Sequence, residues 1–141
     1  MRLLTGVMLS LAMLAPVASA APPAADHPIL GIWQLTLPDG SCSETSRFRG
    51  DGTTLVTSAE EISQSEFNIP AKPSAKGFYR LDDRLVKDNG KKDCIGQVMK
   101  VGTKATHFVQ FHPSGSLFVM CVAESLDACI GPFRRMPAQE T

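Results

Sequence analysis

Short runs in which apolar and polar residues alternate fill most of the chain after residue 30. The stretch 31–37 places Trp33 and Leu35 on one face, and this period of two is typical of a half-buried β-strand. Residues 43–49 and 53–57 alternate in the same way and flank a Gly-Asp-Gly turn, a sequence typical of a tight hairpin. The first part of the chain is therefore predicted to form consecutive antiparallel strands.

The rest of the chain continues this pattern with one gap. Further strands are predicted at 77–81, 84–87, 94–101, 106–112, 116–123 and 130–136, with a turn at Asp82-Asp83 between the first two. The segment 58–76 is left undecided, because signals for a helical turn and for a ragged strand overlap there and prolines interrupt both. Eight or nine short strands predict an all-β fold, an up-and-down antiparallel β-barrel, with a β-sandwich as the alternative.

The start of the chain has the pattern of an export signal. Arg2 precedes an apolar run that ends at Pro16, and the small residues Ala18-Ser19-Ala20 follow. This predicts a signal peptide cleaved after Ala20, a periplasmic or secreted protein, and no membrane span in the mature chain. The predicted boundaries are 1–20 for the signal peptide, 21–28 for a disordered spacer, 29–137 for a single barrel domain and 138–141 for a tail.

Charge argues against polyanionic partners. The chain has 14 basic and 14 acidic residues, and removal of Arg2 with the leader leaves 13 − 14 = −1. A nucleic-acid surface needs a basic excess or a clustered basic face, whereas Lys91-Lys92 and Arg134-Arg135 are isolated pairs. No nucleic-acid partner is expected.

Four cysteines, Cys42, Cys94, Cys121 and Cys129, lie in the predicted mature chain. An even number in an exported chain favours two disulfides, and zinc is less favoured because no close C-x-x-C pair occurs. Cys121 and Cys129 flank one turn, so they lie at the same end of a meander and are predicted to pair. Cys42 then pairs with Cys94, and both lie at one end if the segment 58–76 is a connection and not a full strand.

No arrangement typical of catalysis is found. His27 lies in the expected spacer, and His107 and His112 are five positions apart on one predicted strand, so they point to opposite faces. A catalytic role would require His107 or His112 beside a carboxylate such as Glu44 or Glu66, which strand parity disfavours. The chain is therefore expected not to be an enzyme and to have no metal site and no cofactor.

Several motifs together resemble a known family. They are Gly31-x-Trp33 on the first strand, Phe48-Arg-Gly-Asp-Gly-Thr53 across a hairpin, Gly77-x-Tyr79-x-Leu81, and Phe133-Arg134-Arg135 on the last strand. This set resembles the small secreted lipocalin-like, or calycin-type, domains of bacteria. The resemblance implies an up-and-down calycin barrel in which Trp33 closes one end and Arg134 or Arg135 packs across its ring.

A barrel of this size is wide enough to hold one small ligand. The candidate ligand-binding residues, all expected to face inward, are Trp33, Glu44, Phe48, Tyr79 and Phe111. Because Glu44 shares a face with Phe48, the lumen is expected to have a polar end and to suit a small apolar or amphipathic molecule. The alternative is an inhibitor or immunity-type protein that binds an envelope hydrolase or toxin through residues 58–76 or the turn between Cys121 and Cys129.

Overall fold

The structure is a computed structural model that describes residues 21–138. Its elements are β1 (Gly31–Thr36), β2 (Ser43–Phe48), β3 (Thr53–Ser58), β4 (Glu61–Asn68), β5 (Tyr79–Asp88), β6 (Lys104–Phe111), β7 (Leu117–Cys121) and β8 (Cys129–Met136). Each strand pairs antiparallel with the next, and β8 pairs with β1. The predicted all-β, up-and-down barrel is confirmed. The expected signal peptide and residues 139–141 of the expected tail lie outside the described residues.

The segment 58–76 contains a full strand, β4, which the sequence left undecided. Ser58 pairs with Glu61 across a two-residue turn, and Ala59 has a φ of 52°. A left-handed alanine is uncommon, so this turn lacks the Asn-Gly or Asp-Gly signal that marks most tight hairpins. Along β4 the buried positions are mostly polar and Ile62 is 53% exposed, so the usual alternation is inverted.

The predicted turn at Asp82-Asp83 is wrong, because β5 runs through it without a break. Asp82 points outward, where it accepts a hydrogen bond from the Thr106 hydroxyl at 2.6 Å and lies 3.1 Å from Arg80. Asp83 points inward and lines the lumen together with Ser65. Two adjacent aspartates therefore occupy opposite faces of one strand.

The predicted strand at 94–101 is also wrong, because this segment belongs to the loop between β5 and β6. Asp93 Oδ1 accepts hydrogen bonds from the backbone N–H groups of Ile95 and Gln97 at 3.0 and 2.8 Å. Such an aspartate-centred turn satisfies the backbone locally and competes with strand pairing. Farther on, β6 ends at Phe111, so His112 lies just beyond the strand that carries His107.

Both predicted disulfides are present, Cys42–Cys94 and Cys121–Cys129. The first joins the β1–β2 loop to the β5–β6 loop, and the second spans the β7–β8 connection. Alternate connections of an up-and-down barrel share an end, so both cross-links lie at the same end of the barrel. We call this end the mouth, and it comprises residues 37–42, 59–60, 89–103 and 122–128.

The opposite end is closed by Trp33, which is fully buried. Its indole N–H donates to the Ile29 carbonyl at 2.7 Å, and the Arg135 guanidinium lies 4.2 Å from its ring centroid. Arg135 also donates to the carbonyls of Pro28, Leu30 and Gly115. The Arg–Trp contact that the resemblance implied is thus made by Arg135 and not by Arg134.

Two further details fix the closed end. Gly31 has a φ of 119°, and a Cβ atom there would lie 2.8 Å from Arg135 Nη1, so only glycine fits beneath the guanidinium. His27, assigned by sequence to the spacer, is 4% exposed. Its Nδ1 accepts from the Ile29 N–H and its Nε2 donates to the Pro70 carbonyl, at 3.1 and 3.0 Å. The chain just before β1 therefore covers this end.

Candidate functional site

The barrel is not completely filled by its own side chains. A cavity of about 240 Å³ occupies the lumen between the closed end and the mouth. Its apolar lining is Phe48, Val56, Leu81, Met120, Ile130 and Phe133. A cavity of roughly 150 Å³ is enough for a benzene-sized molecule, so this lumen has room for a somewhat larger one.

Polar groups line one side of the same cavity. Thr54 and Ser65 face each other across β3 and β4, and Asp83 lines the same cavity. We call these three residues the polar wall. Thr54 is 5% exposed, and its hydroxyl has no hydrogen-bond partner within the described residues. The lumen thus contains an unsatisfied polar atom beside a carboxyl group.

Asp83 is the charged centre of the polar wall. Burial raises the pKa of this carboxyl, while the Ser65 hydroxyl and the nearby His107 oppose the rise. Within residues 21–138 the two ion pairs are Arg80–Asp82 and Arg84–Glu66, and all four side chains are largely exposed. Asp83 therefore has no arginine or lysine partner in the described chain, and this leaves its negative charge poorly compensated.

Glu44 lies where the lumen meets the mouth. Burial raises the pKa of Glu44, and Asp93 adds to the rise, while a hydrogen bond with Ser58 opposes it. A second cavity of about 230 Å³ shares Glu44 and Ile130 with the first and is bounded by Cys94. The second cavity therefore lies next to the lumen cavity, toward the mouth and beside the β5–β6 loop.

An acidic pair lies beside this passage. Glu61 is 4% exposed, and neither its Oε1 nor Asp88 Oδ2 has a hydrogen-bond partner within the described residues. Burial, followed by the adjacent carboxyl of Asp88, raises the pKa of Glu61 to about 7, and the charges of Asp93 and Glu44 contribute. The passage between the lumen and the mouth is consequently rich in carboxyl groups.

The five ligand-binding candidates are divided between two regions. Glu44 and Phe48 line the lumen cavity. The other three, Trp33, Tyr79 and Phe111, belong to the aromatic packing of the closed end, where the ring of Phe111 lies 6.1 Å from that of Trp33 and 5.6 Å from that of Tyr79. Of the five candidates, the structure therefore places only Glu44 and Phe48 around the lumen cavity.

Asp83 and His107 line the cavity but were not among the candidates. The predicted turn at Asp82-Asp83 hid the first, since a continuous strand would have placed Asp83 on the face of Leu81. For His107 a signal was present, because it lies two positions from Val109, which is fully buried. Strand parity alone would have placed His107 inward.

A larger concavity, about 500 Å³, lies on the outer face of β1, β2 and β3. Its lining includes Ile32, Leu55 and Arg47 but no buried carboxyl or imidazole, so we do not treat it as the site. Within residues 21–138 no group of three or more His, Cys, Asp or Glu side chains is placed to hold a metal ion. The described part of the chain also has no helix long and apolar enough to cross a membrane.

Comparisons of the chain with models of known families, with curated proteins and with solved structures found no match. The two disulfides indicate an oxidising, extracytoplasmic environment. The site is therefore interpreted from its own geometry.

Proposed function

We propose that this chain is an exported, non-catalytic binding protein with a lipocalin-like barrel that carries one small, partly apolar molecule in its lumen. The observation that supports this most directly is the unfilled cavity of about 240 Å³. Binding sites for small molecules are typically concave and mostly apolar, with a few polar groups that orient the ligand. The lumen has both features, since apolar side chains surround the polar wall.

The size of the cavity limits the ligand. At about 240 Å³ it lies below the roughly 300–1,000 Å³ typical of sites for drug-sized molecules. A single ring with a short side chain matches this volume better than a long-chain lipid or a tetrapyrrole. The ligand enters from the mouth, because Trp33 and Arg135 close the other end.

The experiment is native mass spectrometry of the mature protein from its own envelope, run beside the same sample after denaturation. The wild-type protein should carry a small mass that denaturation releases. Ser46→Leu fills the lumen beside Trp33 and should reduce the bound fraction at least tenfold. A bare wild-type chain would argue against a carrier.

Thr45→Leu is the matched control. Thr45 is the adjacent residue of the same strand, but it lines the concavity on the outer face. This variant should carry the ligand as the wild type does. Equal loss in the two variants would indicate a general loss of folding, which the near-ultraviolet circular dichroism of the buried Trp33 would report.

A second candidate is an inhibitor or immunity-type protein that binds an envelope hydrolase or toxin. It is favoured by the apolar side chains exposed in the turn between the second pair of cysteines, where Val122 is 70% and Leu126 is 64% exposed. Exposed apolar groups on a cross-linked turn suit a protein partner. In the same native experiment, a bare barrel that migrates with a second protein would favour this alternative.

A further inference from the structure

The lumen contains acidic groups in excess of basic ones. Its titratable lining consists of Glu44, Asp83 and His107, and the approach from the mouth adds Glu61 and Asp93. No lysine or arginine of the described chain lines either of the two adjacent cavities. An anionic ligand would meet uncompensated repulsion here, whereas a cation would be attracted from the mouth inward.

We infer that the ligand is a small amphipathic amine whose protonated nitrogen lies against the polar wall of Thr54, Ser65 and Asp83. This inference rests on the proposed binding function and names the class of its ligand. An alkylammonium group donates three hydrogen bonds. The wall offers a carboxylate and two hydroxyl oxygens as acceptors, and the Thr54 hydroxyl has no partner within the described residues.

The electrostatics of Asp83 support the same assignment. Burial raises the pKa of this carboxyl, which means that the empty lumen disfavours its charged form. A cation in contact with the carboxylate would restore that charge and would form charge-assisted hydrogen bonds, which are stronger than neutral ones. A neutral alcohol gains only an ordinary hydrogen bond at the same position.

The rest of the cavity matches the apolar part of such a ligand. Phe48, Leu81 and Phe133 are at least nine-tenths buried and line the lumen with Met120. A ring or short alkyl group placed among them would leave water without losing a hydrogen bond. The amine is therefore oriented by Asp83, and its body is held by the apolar lining.

The test uses three probes with similar bodies and different charges: 2-phenylethylamine, 2-phenylethanol and 3-phenylpropionate. Each is titrated into the purified protein at neutral pH, with affinity measured by calorimetry and location by chemical shifts of the lumen residues. The amine should bind at least about tenfold more tightly than the alcohol, and the carboxylate more weakly than both. Equal affinity of amine and alcohol in the lumen would overturn the amine assignment and leave the binding function in place.

Asp83→Asn removes the charge with little change of shape and should abolish the preference for the amine. Asp82→Asn is the matched control, because Asp82 lies beside it on the outer face, and it should retain the preference. Thr54→Val removes one acceptor and should weaken amine binding about fivefold, which keeps the test valid if Asp83→Asn fails to fold. An amine preference that is as large in Asp83→Asn and in Thr54→Val as in the wild type would contradict the inference.

The probes also separate this inference from the proposed function. If none of the three probes shifts the lumen resonances, the amine inference is wrong, whereas the binding function is decided by the mass released from the native protein. If the carboxylate binds most tightly in the lumen, the binding function stands and the ligand class is an anion. The results of the probes therefore test the ligand class separately from the binding function.

Discussion

Glu61 is a carboxyl group for which burial and charge act in the same direction. It is almost completely buried, and the groups that face it are all acidic: Asp88 on β5, Asp93 on the β5–β6 loop and Glu44 on β2. Each of these makes the charged form of Glu61 less favourable. Its folded-state pKa, about 7, therefore lies above its ordinary value of 4.5.

This elevated pKa makes stability depend on pH. Between about pH 4.5 and 7 the folded state retains a proton on Glu61 that the unfolded chain has lost. The free energy of unfolding therefore falls as pH rises through this interval, by at most about 3.5 kcal/mol, since each pKa unit corresponds to about 1.4 kcal/mol. Glu61→Gln should remove this dependence, as measured by urea unfolding at pH 5 and pH 8.

The comparison must be made between variants, because His27 acts in the opposite direction. Burial lowers the pKa of His27, so its protonation on acidification destabilises the folded state. Glu60→Gln is the matched control, since Glu60 is exposed in the turn beside Glu61. If the free energy of unfolding of Glu61→Gln depends on pH as strongly as that of the wild type and of Glu60→Gln, the assignment to Glu61 is wrong.

At the scale of the strands, the seam between β1 and β8 depends on one side chain. Arg135 on β8 donates to the carbonyls of Pro28 and Leu30 ahead of β1, at 2.7 and 2.8 Å. It donates as well to Gly115 in the β6–β7 turn, at 3.1 Å. Three separate segments are thus joined by one guanidinium, whose planar fork of donors a lysine does not reproduce.

Arg135→Lys should therefore destabilise the barrel by about 1–2 kcal/mol, because it removes at least one charged hydrogen bond and weakens the contact with Trp33. Arg134→Lys is the control, since the Arg134 side chain makes no hydrogen bond within the described residues, and it should stay within about 0.5 kcal/mol of the wild type. Thermal unfolding of the two variants side by side measures the difference. Equal effects would show that the seam does not depend on Arg135.

The strands also differ in how well the sequence predicts them. β1, β2 and β3 follow from regular alternation and from Gly-containing turns, and the strands after residue 104 are found within two residues of their observed limits. β4 was missed because serines and Glu61 face the lumen while Ile62 faces outward. A barrel with a polar interior weakens the signal that identifies strands, because that signal assumes an apolar inside.

For the candidate site, the sequence identifies Glu44 and Phe48 but not Asp83 and His107. Asp83 on β5 was missed because a turn was wrongly predicted at that position. His107 on β6 was missed although it has the same strand parity as Val109, which faces inward. The aromatic residues that looked most like ligand contacts pack against each other at the closed end. Size and alternation predict which residues face inward, whereas the position of the open space depends on how those side chains pack.

At the scale of the whole molecule, the two disulfides close loops of very different length. Their sequence separations are 52 and 8 residues. In the chain-entropy model the long loop stabilises the fold by about 4 kcal/mol and the short one by about 2.6 kcal/mol. Replacing Cys42 and Cys94 by alanine should therefore lower the free energy of unfolding more than replacing Cys121 and Cys129, as measured in urea.

A larger effect from the short loop would show that local packing around Cys121, which is buried, outweighs chain entropy. The pairing itself was predicted correctly although its premise failed. The premise was that residues 58–76 contain no strand, whereas β4 lies there. The merger of the predicted strands 77–81 and 84–87 into β5 offset the added β4, and this restored the parity that places Cys42 and Cys94 at one end.

The pairing of β8 with β1 brings Ile32 and Met136 into register as neighbours, although they lie at the two ends of the barrel sequence. Every strand therefore pairs with two others, and the sheet is a closed ring in which only β8 and β1 are paired without a loop between them. The start of β1 and the end of β8 both lie at the closed end, far from the mouth. A circular permutant joined there by a short linker, with new termini within residues 89–103, would retain all eight pairings and display its termini beside the entrance to the lumen.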